Sequence, residues 1–347
     1  MAPVLSVIIP CYNNGRYLSE MLDCCINQTF TDWEVIVVDD QSTDNTTLEM
    51  GQSYSQKDSR IKFYIRERLP KGSAVCRNIG FEKAVGKYVM HFDADDLIST
   101  TCFEKRVEFM EQNPNCDYAS FPAISFFDGD PLPKWNGKAS YGISKGDNSL
   151  LYYFLNVNYP FSVWCNIYKT VSIKNILWDE NIKIYTDFSF IIPCILLGLR
   201  HRFSNLCDYD YFYRHFREES GNMTSDFISA EKCKSTVLLF GRTLASIQNR
   251  HNTEELMKAF VRFIVLHYER LVNGQSYQYI EDYVQLVHRF YGKKLSEKLY
   301  RIYKSVSRVS NPSLRKIKLE LLLYRNFGYP DYRTKFIHSL VKFVLKR

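Results

Sequence analysis

Four short apolar, β-rich runs, at 4–9, 34–38, 61–65 and 88–92, alternate with stretches of helical periodicity. This alternation limits the possible folds more than any other feature of the chain. Between the first two runs, Tyr17, Leu18, Met21, Leu22, Cys25 and Ile26 recur at helical spacing within 15–28. Ser42, Thr43 and Asp44 supply helix-start residues after the second run, and 73–84 reads as a further helix. The second run is nearly continuous in apolar residues, as in a strand covered on both faces. A βαβαβαβ order predicts an α/β fold with a mainly parallel sheet and helices on both faces. The pattern changes twice further on. Residues 126–225 are irregular and rich in Trp, Tyr, Asn and Asp, and 226–347 turn helical and basic. Three regions follow: 1–125, 126–225 and a C-terminal helical extension at 226–347.

At 347 residues the chain exceeds one small domain. Its ten cysteines include no C-x-x-C pair and no zinc-like Cys/His spacing, so they read as buried thiols in a reducing compartment. No basic segment followed by a long apolar run opens the chain, and the apolar stretch 188–199 contains Ser189 and Pro193. It falls short of the ~20 residues a membrane-spanning helix needs. A cytoplasmic protein is the expectation. The charge is divided unevenly. From Glu231 onward there are 23 Lys and Arg against 9 Asp and Glu, whereas the first 230 residues hold 22 against 29. The basic part is expected to face something anionic. No nucleic-acid-binding motif is present, so nucleic acid is not the expected partner.

Open parallel sheets bind ligands beyond the carboxyl ends of their strands. Polar clusters occupy those ends at 10–14, 39–44 and 93–96, and they bring together Asp39, Asp40, Asp93, Asp95 and Asp96. Alternate carboxylates at a strand end project into one pocket, and oxygen ligands suit a hard divalent cation such as Mg²⁺ or Mn²⁺. The plain alternative is a solvated acidic turn. An acidic residue in the place of Asp40 can accept from a base imide or a ribose hydroxyl, and Tyr12 offers a flat face to a base. Helix capping and core packing are their plain alternatives.

The run Ser6-Val7-Ile8-Ile9-Pro10-Cys11-Tyr12-Asn13 resembles the opening of family 2 glycosyltransferases of the GT-A (Rossmann-like) fold. Gln28-Thr29-Phe30, Val37-Val38-Asp39-Asp40-Gln41-Ser42-Thr43-Asp44, Arg77-Asn78-Ile79-Gly80, Gly86-Lys87-Tyr88 and Phe92-Asp93-Ala94-Asp95-Asp96 follow in the family's order. The resemblance covers 3–110 closely and 160–225 more loosely. It implies a bacterial surface-polysaccharide type of enzyme, a hexosyl- or N-acetylhexosaminyltransferase. Region 1–125 would bind the nucleotide-sugar donor, with uridine diphosphate favoured by family habit, and 126–225 would serve the acceptor and catalysis.

Residue by residue, the resemblance implies donor contacts at Pro10, Tyr12, Asn13, Asp40, Arg77 and Asp93, and metal ligation at Asp95 and Asp96. Asp187, in Tyr185-Thr186-Asp187-Phe188, stands where the family commonly places its base as the Asp of a Glu-Asp pair; Thr186 replaces that Glu. A carboxylate there can take the acceptor's proton. Its plain alternative is a helix N-cap. Trp164, in a segment resembling the family's Trp-Asn-Lys-Leu-Tyr, is the candidate acceptor platform. Arg214 and His215 in Tyr213-Arg214-His215-Phe216-Arg217 are candidates for the diphosphate, since Arg pairs with phosphate in a bidentate way. A single base predicts inversion at the anomeric carbon.

The last segment, 334–347, spaces Phe336, Ile337, Leu340, Val341 and Val344 along one helical face, with Lys335, Lys342 and Lys346 largely off it. Such a helix can rest on anionic lipid on the inner face of a membrane, which suits a lipid-linked glycan acceptor. It can equally pack against the domain or a second subunit. A nicotinamide enzyme is excluded because Pro-Cys-Tyr-Asn-Asn-Gly follows the first run in place of G-x-G-x-x-G. A nucleotidyltransferase would want a Gly-rich basic loop there. The remaining rival is a catalytically inactive protein that binds carbohydrate or nucleotide sugar, or scaffolds polysaccharide assembly.

Overall fold

The structure, a computed structural model, describes residues 2–147, 149–155, 158–217, 229–248, 267, 271 and 279–327. The predicted terminal helix at 334–347 lies outside the described residues. Two compact units divide the chain: Met1–Phe154 with Asn158–Asn222, and Leu155–Val157 with Met223–Arg347.

In the first unit, strands β1 (Leu5–Cys11), β2 (Trp33–Asp39), β3 (Ile61–Ile65) and β4 (Tyr88–His91) run parallel in the order β3-β2-β1-β4. Their crossovers are α1 (Gly15–Ile26), α2 (Asn45–Lys57) and α3 (Ser73–Lys83). Every residue of β2 is buried, which is why its sequence is almost unbroken in apolar residues. Side chains alternate faces along a strand. Ile36 and Val38 meet Val75, Cys76 and Ile79 of α3 on one face. Phe63, in register with Val37, meets α2 at Gly51 on the other. Helices therefore cover both faces. Gly80 lets α3 lie against β1, since a Cβ there would stand 2.4 Å from Ile8 Cγ2.

The rest of the unit has no counterpart in the sequence periodicity. After β4 come β5 (Leu97–Ile98), α4 (Cys102–Gln112), β6 (Tyr118–Ser120), β7 (Ala123–Phe127) and α5 (Leu150–Leu155). Then follow β8 (Asn166–Lys169), α6 (Thr170–Ile173), α7 (Thr186–Leu196), β9 (His201–Phe203) and β10 (Tyr211–His215). Strand β8 adds antiparallel to β4, and β6 and β9 complete a seven-stranded sheet. Strands β5, β10 and β7 form a separate small sheet.

One buried ion pair joins that small sheet to α4. Arg106 forks onto Asp210, with Nε donating to Oδ2 at 2.6 Å and Nη2 to Oδ1 at 2.8 Å, and its Nη1 donates to the carbonyl of Trp164 at 2.9 Å. Both side chains are essentially sealed from solvent. A buried pair is tolerable only when it is hydrogen-bonded as fully as this one.

Helices α8 (Ala230–Gln248), α9 (Ile280–Tyr291), α10 (Lys293–Ser307) and α11 (Pro312–Phe327) lie in the second unit. Leu239, Phe240, Leu244, Tyr283, Val287, Leu299, Ile302 and Val306 are among its buried side chains. No helix among the described residues is long and apolar enough to cross a membrane.

Candidate active site

The carboxyl ends of β1, β2 and β4 bring the three polar clusters together. Asn13 ties the first two: its Oδ1 accepts from the backbone of Thr43 at 2.7 Å and Asp44 at 3.2 Å, and its own N–H donates to Ser42 Oγ. Asn13 and Gln41 hold positive φ here, and Tyr185, directly before α7, is the third such non-glycine residue among those described. Strained backbone of this kind gathers at ligand sites. Asn13 therefore shapes the loop from within.

Asp39 and Asp40 do different work. Asp39 is sealed and accepts from the backbone N–H of Ser42 at 2.9 Å, closing the turn after β2. Asp40 Oδ1 receives Arg66 Nε, the Gly72 N–H and the Cys76 thiol, which leaves Oδ2 with no protein donor among the described residues. Next to it Pro10 sits in β1 opposite Val38, and Tyr12 is 42% exposed with Lys71 Nζ 4.2 Å from its ring centroid. The geometry supplies a flat aromatic face beside an open carboxylate oxygen.

The acidic run after β4 lies in the turn that leads into β5, and its carboxylates take different partners. Asp93 Oδ1 accepts from Arg77 Nη2 at 2.5 Å. Arg77 is buried, lies 4.6 Å from the Trp178 ring, and keeps Nε and Nη1 without a hydrogen-bond partner among the described residues. Loss of water, then the nearby Asp95 and Asp187 carboxylates, push Asp93 up to about 6 against the pull of Arg77. Asp95 is also raised, by burial, with Arg214 opposing. Asp93, Asp95 and Asp187 thus share one electrostatic neighbourhood. Asp96 is fully buried. Its oxygens accept from Tyr211 Oη at 2.6 Å and the Arg214 N–H at 2.7 Å. Burial and its acidic neighbours hold its carboxyl well above the usual range. As an expected metal ligand, Asp96 is corrected to a residue that docks β4 onto β10.

Two further expectations change in the same way. Arg214 spends every guanidinium nitrogen internally: Nε on the Asp95 carbonyl at 2.6 Å, Nη1 on Asp128 and Nη2 on Glu20, both at 2.5 Å. It buttresses the Asp95 backbone, and its three internal bonds, with Asp128 and Glu20 on its two Nη atoms, hold the guanidinium in place as a structural group. Trp164 is only 4% exposed and lies parallel to Tyr211 and Tyr213, at 4.7 and 5.4 Å between centroids. It is core, with no open face for an acceptor sugar. His215 keeps partial exposure against Tyr213 and Phe127.

Asp187 occupies the first turn of α7 but caps nothing. Its Oδ2 receives Ser162 Oγ and the Val163 N–H, and Oδ1 has no protein donor among the described residues. Ser162, Arg66, Lys71 and Trp178 were not legible as site residues. They come from irregular segments whose partners are remote in sequence.

No three His, Cys, Asp or Glu side chains converge on a metal position among the described residues. A hard cation that shares its ligands between one or two carboxylates and a diphosphate needs no such cage. The partly exposed Asp95, beside Asp93, fits that kind of site.

The model of the family "Glycosyl transferase family 2" matches residues 6–171. An uncharacterised glycosyltransferase of Haemophilus influenzae is 40% identical over 193 residues, which are 56% of this chain and 72% of that protein. The minor teichoic acid biosynthesis protein GgaB of Bacillus subtilis is 26% identical over 266 residues, 76% of this chain but only 28% of its own length. Among solved structures, residues 1–349 of S. aureus TarS in complex with UDP-GlcNAc share the fold. The TM-score is 0.66 at 22% identity, over 94% of this chain and 92% of that one. The α/β architecture, the ordered strand-end motifs and these matches place the chain in glycosyl transferase family 2.

Proposed function

We propose that this glycosyltransferase moves a sugar from a uridine-diphosphate donor to a hydroxyl of a glycan or lipid-linked glycan, inverting the anomeric centre. The observation that carries the reading is the placement of Asp187. It shares the electrostatic surroundings of Asp93 and keeps one carboxylate oxygen open, while its other oxygen is held by Ser162 and Val163. A carboxylate fixed on one oxygen and free on the other is built to receive a proton from an acceptor hydroxyl.

The remaining roles are those the family resemblance implies, and the geometry is compatible with them. Tyr12 offers its ring to the base, and Asp40 Oδ2 accepts from the imide or a ribose hydroxyl. Asp93, held by Arg77, faces the ribose, and Arg77 keeps that carboxylate in place. Asp95, with Asp93 beside it, would hold a Mg²⁺ or Mn²⁺. Such an ion, when bound, neutralises charge on the departing diphosphate. UDP-GlcNAc in the TarS complex and the teichoic acid role of GgaB support a nucleotide-sugar donor and a surface-polymer acceptor. The basic C-terminal region is read as facing an anionic surface at which such acceptors reside.

The test is release of nucleotide from a panel of nucleotide sugars, with Mn²⁺ or Mg²⁺ and with chelator. Turnover of one donor is expected, lost in chelator and in Asp95→Ala. Asp187→Asn should lower kcat by about 10²–10⁴ with nucleotide affinity unchanged, the usual worth of a positioned base. Nucleotide binding without release on any acceptor would favour the binding or scaffolding role. Near-normal turnover in Asp187→Asn would remove Asp187 from the mechanism.

A further inference from the structure

The loop 66–72, between β3 and α3, touches the donor side at three points. Arg66 and the Gly72 N–H bind Asp40, and Lys71 lies over Tyr12. It has little apolar hold of its own, since Leu69 is 81% exposed. Polar contacts fasten it to the segment that leads into Asp187. Arg68 forks onto Glu180, Nη1 to Oε2 and Nη2 to Oε1, both at 2.6 Å. Asn78 of α3 donates to Glu180 Oε1 at 2.8 Å and exchanges hydrogen bonds with the backbone of Trp178 at 2.9 and 3.0 Å. Lys183 Nζ donates to the Lys71 carbonyl. Trp178 in turn carries Arg77, the partner of Asp93, on its ring face. Bidentate Arg–carboxylate pairs fix direction as well as distance.

We propose that Arg68 and Glu180 are positioning residues that couple nucleotide occupancy beside Tyr12 and Asp40 to the placement of Asp187. The inference rests on the donor reading above. Lys71 Nζ lies 4.2 Å from the Tyr12 ring centroid, so a base stacked on that face displaces Lys71 and shifts the loop. The Arg68–Glu180 fork and the Lys183–Lys71 contact hand that shift to 178–183, a few residues before the positive-φ Tyr185 and Asp187. Donor binding thereby tightens the hold on a base that is already placed, which favours transfer over wasteful attack by water.

Hydrogen exchange at the backbone amides of 183–187, with and without uridine diphosphate and Mn²⁺, tests this on the full chain. In the wild type the nucleotide should slow exchange about fivefold or more, within the usual range of coupling between sites. Arg68→Gln and Glu180→Gln should still bind the nucleotide but lose that slowing, and the double variant should lose it no further, since each single variant already removes the Arg68–Glu180 fork that carries it. Both side chains are partly exposed, so the variants should keep the wild-type melting temperature. Nucleotide-induced slowing that persists in both variants overturns the coupling, as does a wild type that binds nucleotide without any slowing. A wild type that binds no nucleotide overturns the donor reading itself, a separate and visible result.

Discussion

At the scale of single residues, the site is governed by the partners each carboxylate finds. Asp96 gives both oxygens to β10, whereas Asp93 pairs with Arg77 and Asp95 keeps partial exposure. The consequence is measurable at Asp93, pushed up to about 6. If donor binding uses its ionised form, kcat/KM should fall on the acid side of about pH 6. Arg77→Met removes the cation that favours the carboxylate, so the acid limb should move to higher pH. An unmoved limb would assign it to another group. For stability the sign is reversed. The folded pKa lies above the unfolded value of about 3.9, so the folded chain holds the proton more tightly. That contribution is complete below about pH 4 and is lost as pH rises through about 6. The motif Asp93-Ala94-Asp95-Asp96 was legible from sequence. The fate of Asp96, Trp164 and Arg214 was not, because each is decided by β10, more than a hundred residues away from Asp96.

At the scale of elements, legibility followed burial. The four parallel strands announced themselves because β1, β2 and β4 are buried along almost their whole length, the edge strand β3 more partly, and a helix connects each to the next in sequence, so pattern and order agree. Strands β5 to β10 are two to five residues long and pair across long separations, so no local period reveals them. The contacts that fasten the small sheet are also non-periodic: Asp96 on Tyr211 and Arg214, and Arg106 of α4 on Asp210. Arg106→Met should strand the Asp210 carboxylate in an apolar setting and cost about 3–5 kcal/mol in urea unfolding. Adding Asp210→Leu should recover much of that loss, because the penalty lies in the unpaired charge more than in the missing bond. A double variant as unstable as Arg106→Met would instead place the cost in the lost contact to the Trp164 carbonyl.

At the scale of the whole molecule, charge is distributed by region. The acidic surplus lies in the first 230 residues, where the strand-end carboxylates are, and 23 basic residues against 9 acidic ones follow from Glu231. Helix α10 shows how this surplus is presented. Ser296, Leu299, Ile302 and Val306 are buried on one side, and Lys293, Lys294, Arg301 and Lys304 are exposed on the other, with Glu297 among them. Lys293 and Arg301 each share Glu297, so the stripe keeps a net positive charge after its internal pairs are counted. Each basic residue near an anionic bilayer contributes about 1 kcal/mol, enough in combination for reversible association. The full chain should therefore sediment with vesicles of equal parts phosphatidylglycerol and phosphatidylcholine, and not with phosphatidylcholine alone. Raising salt to about 1 M, where charges are screened beyond about 3 Å, should release it. A Lys294→Glu, Arg301→Glu, Lys304→Glu variant should lose most of the binding at low salt while donor turnover on a soluble acceptor is unchanged. Equal binding by that variant would move the contact to other basic residues of the region. Equal binding to neutral vesicles would show that apolar insertion outweighs charge, and an acceptor at the membrane would then be reached by burial in the lipid.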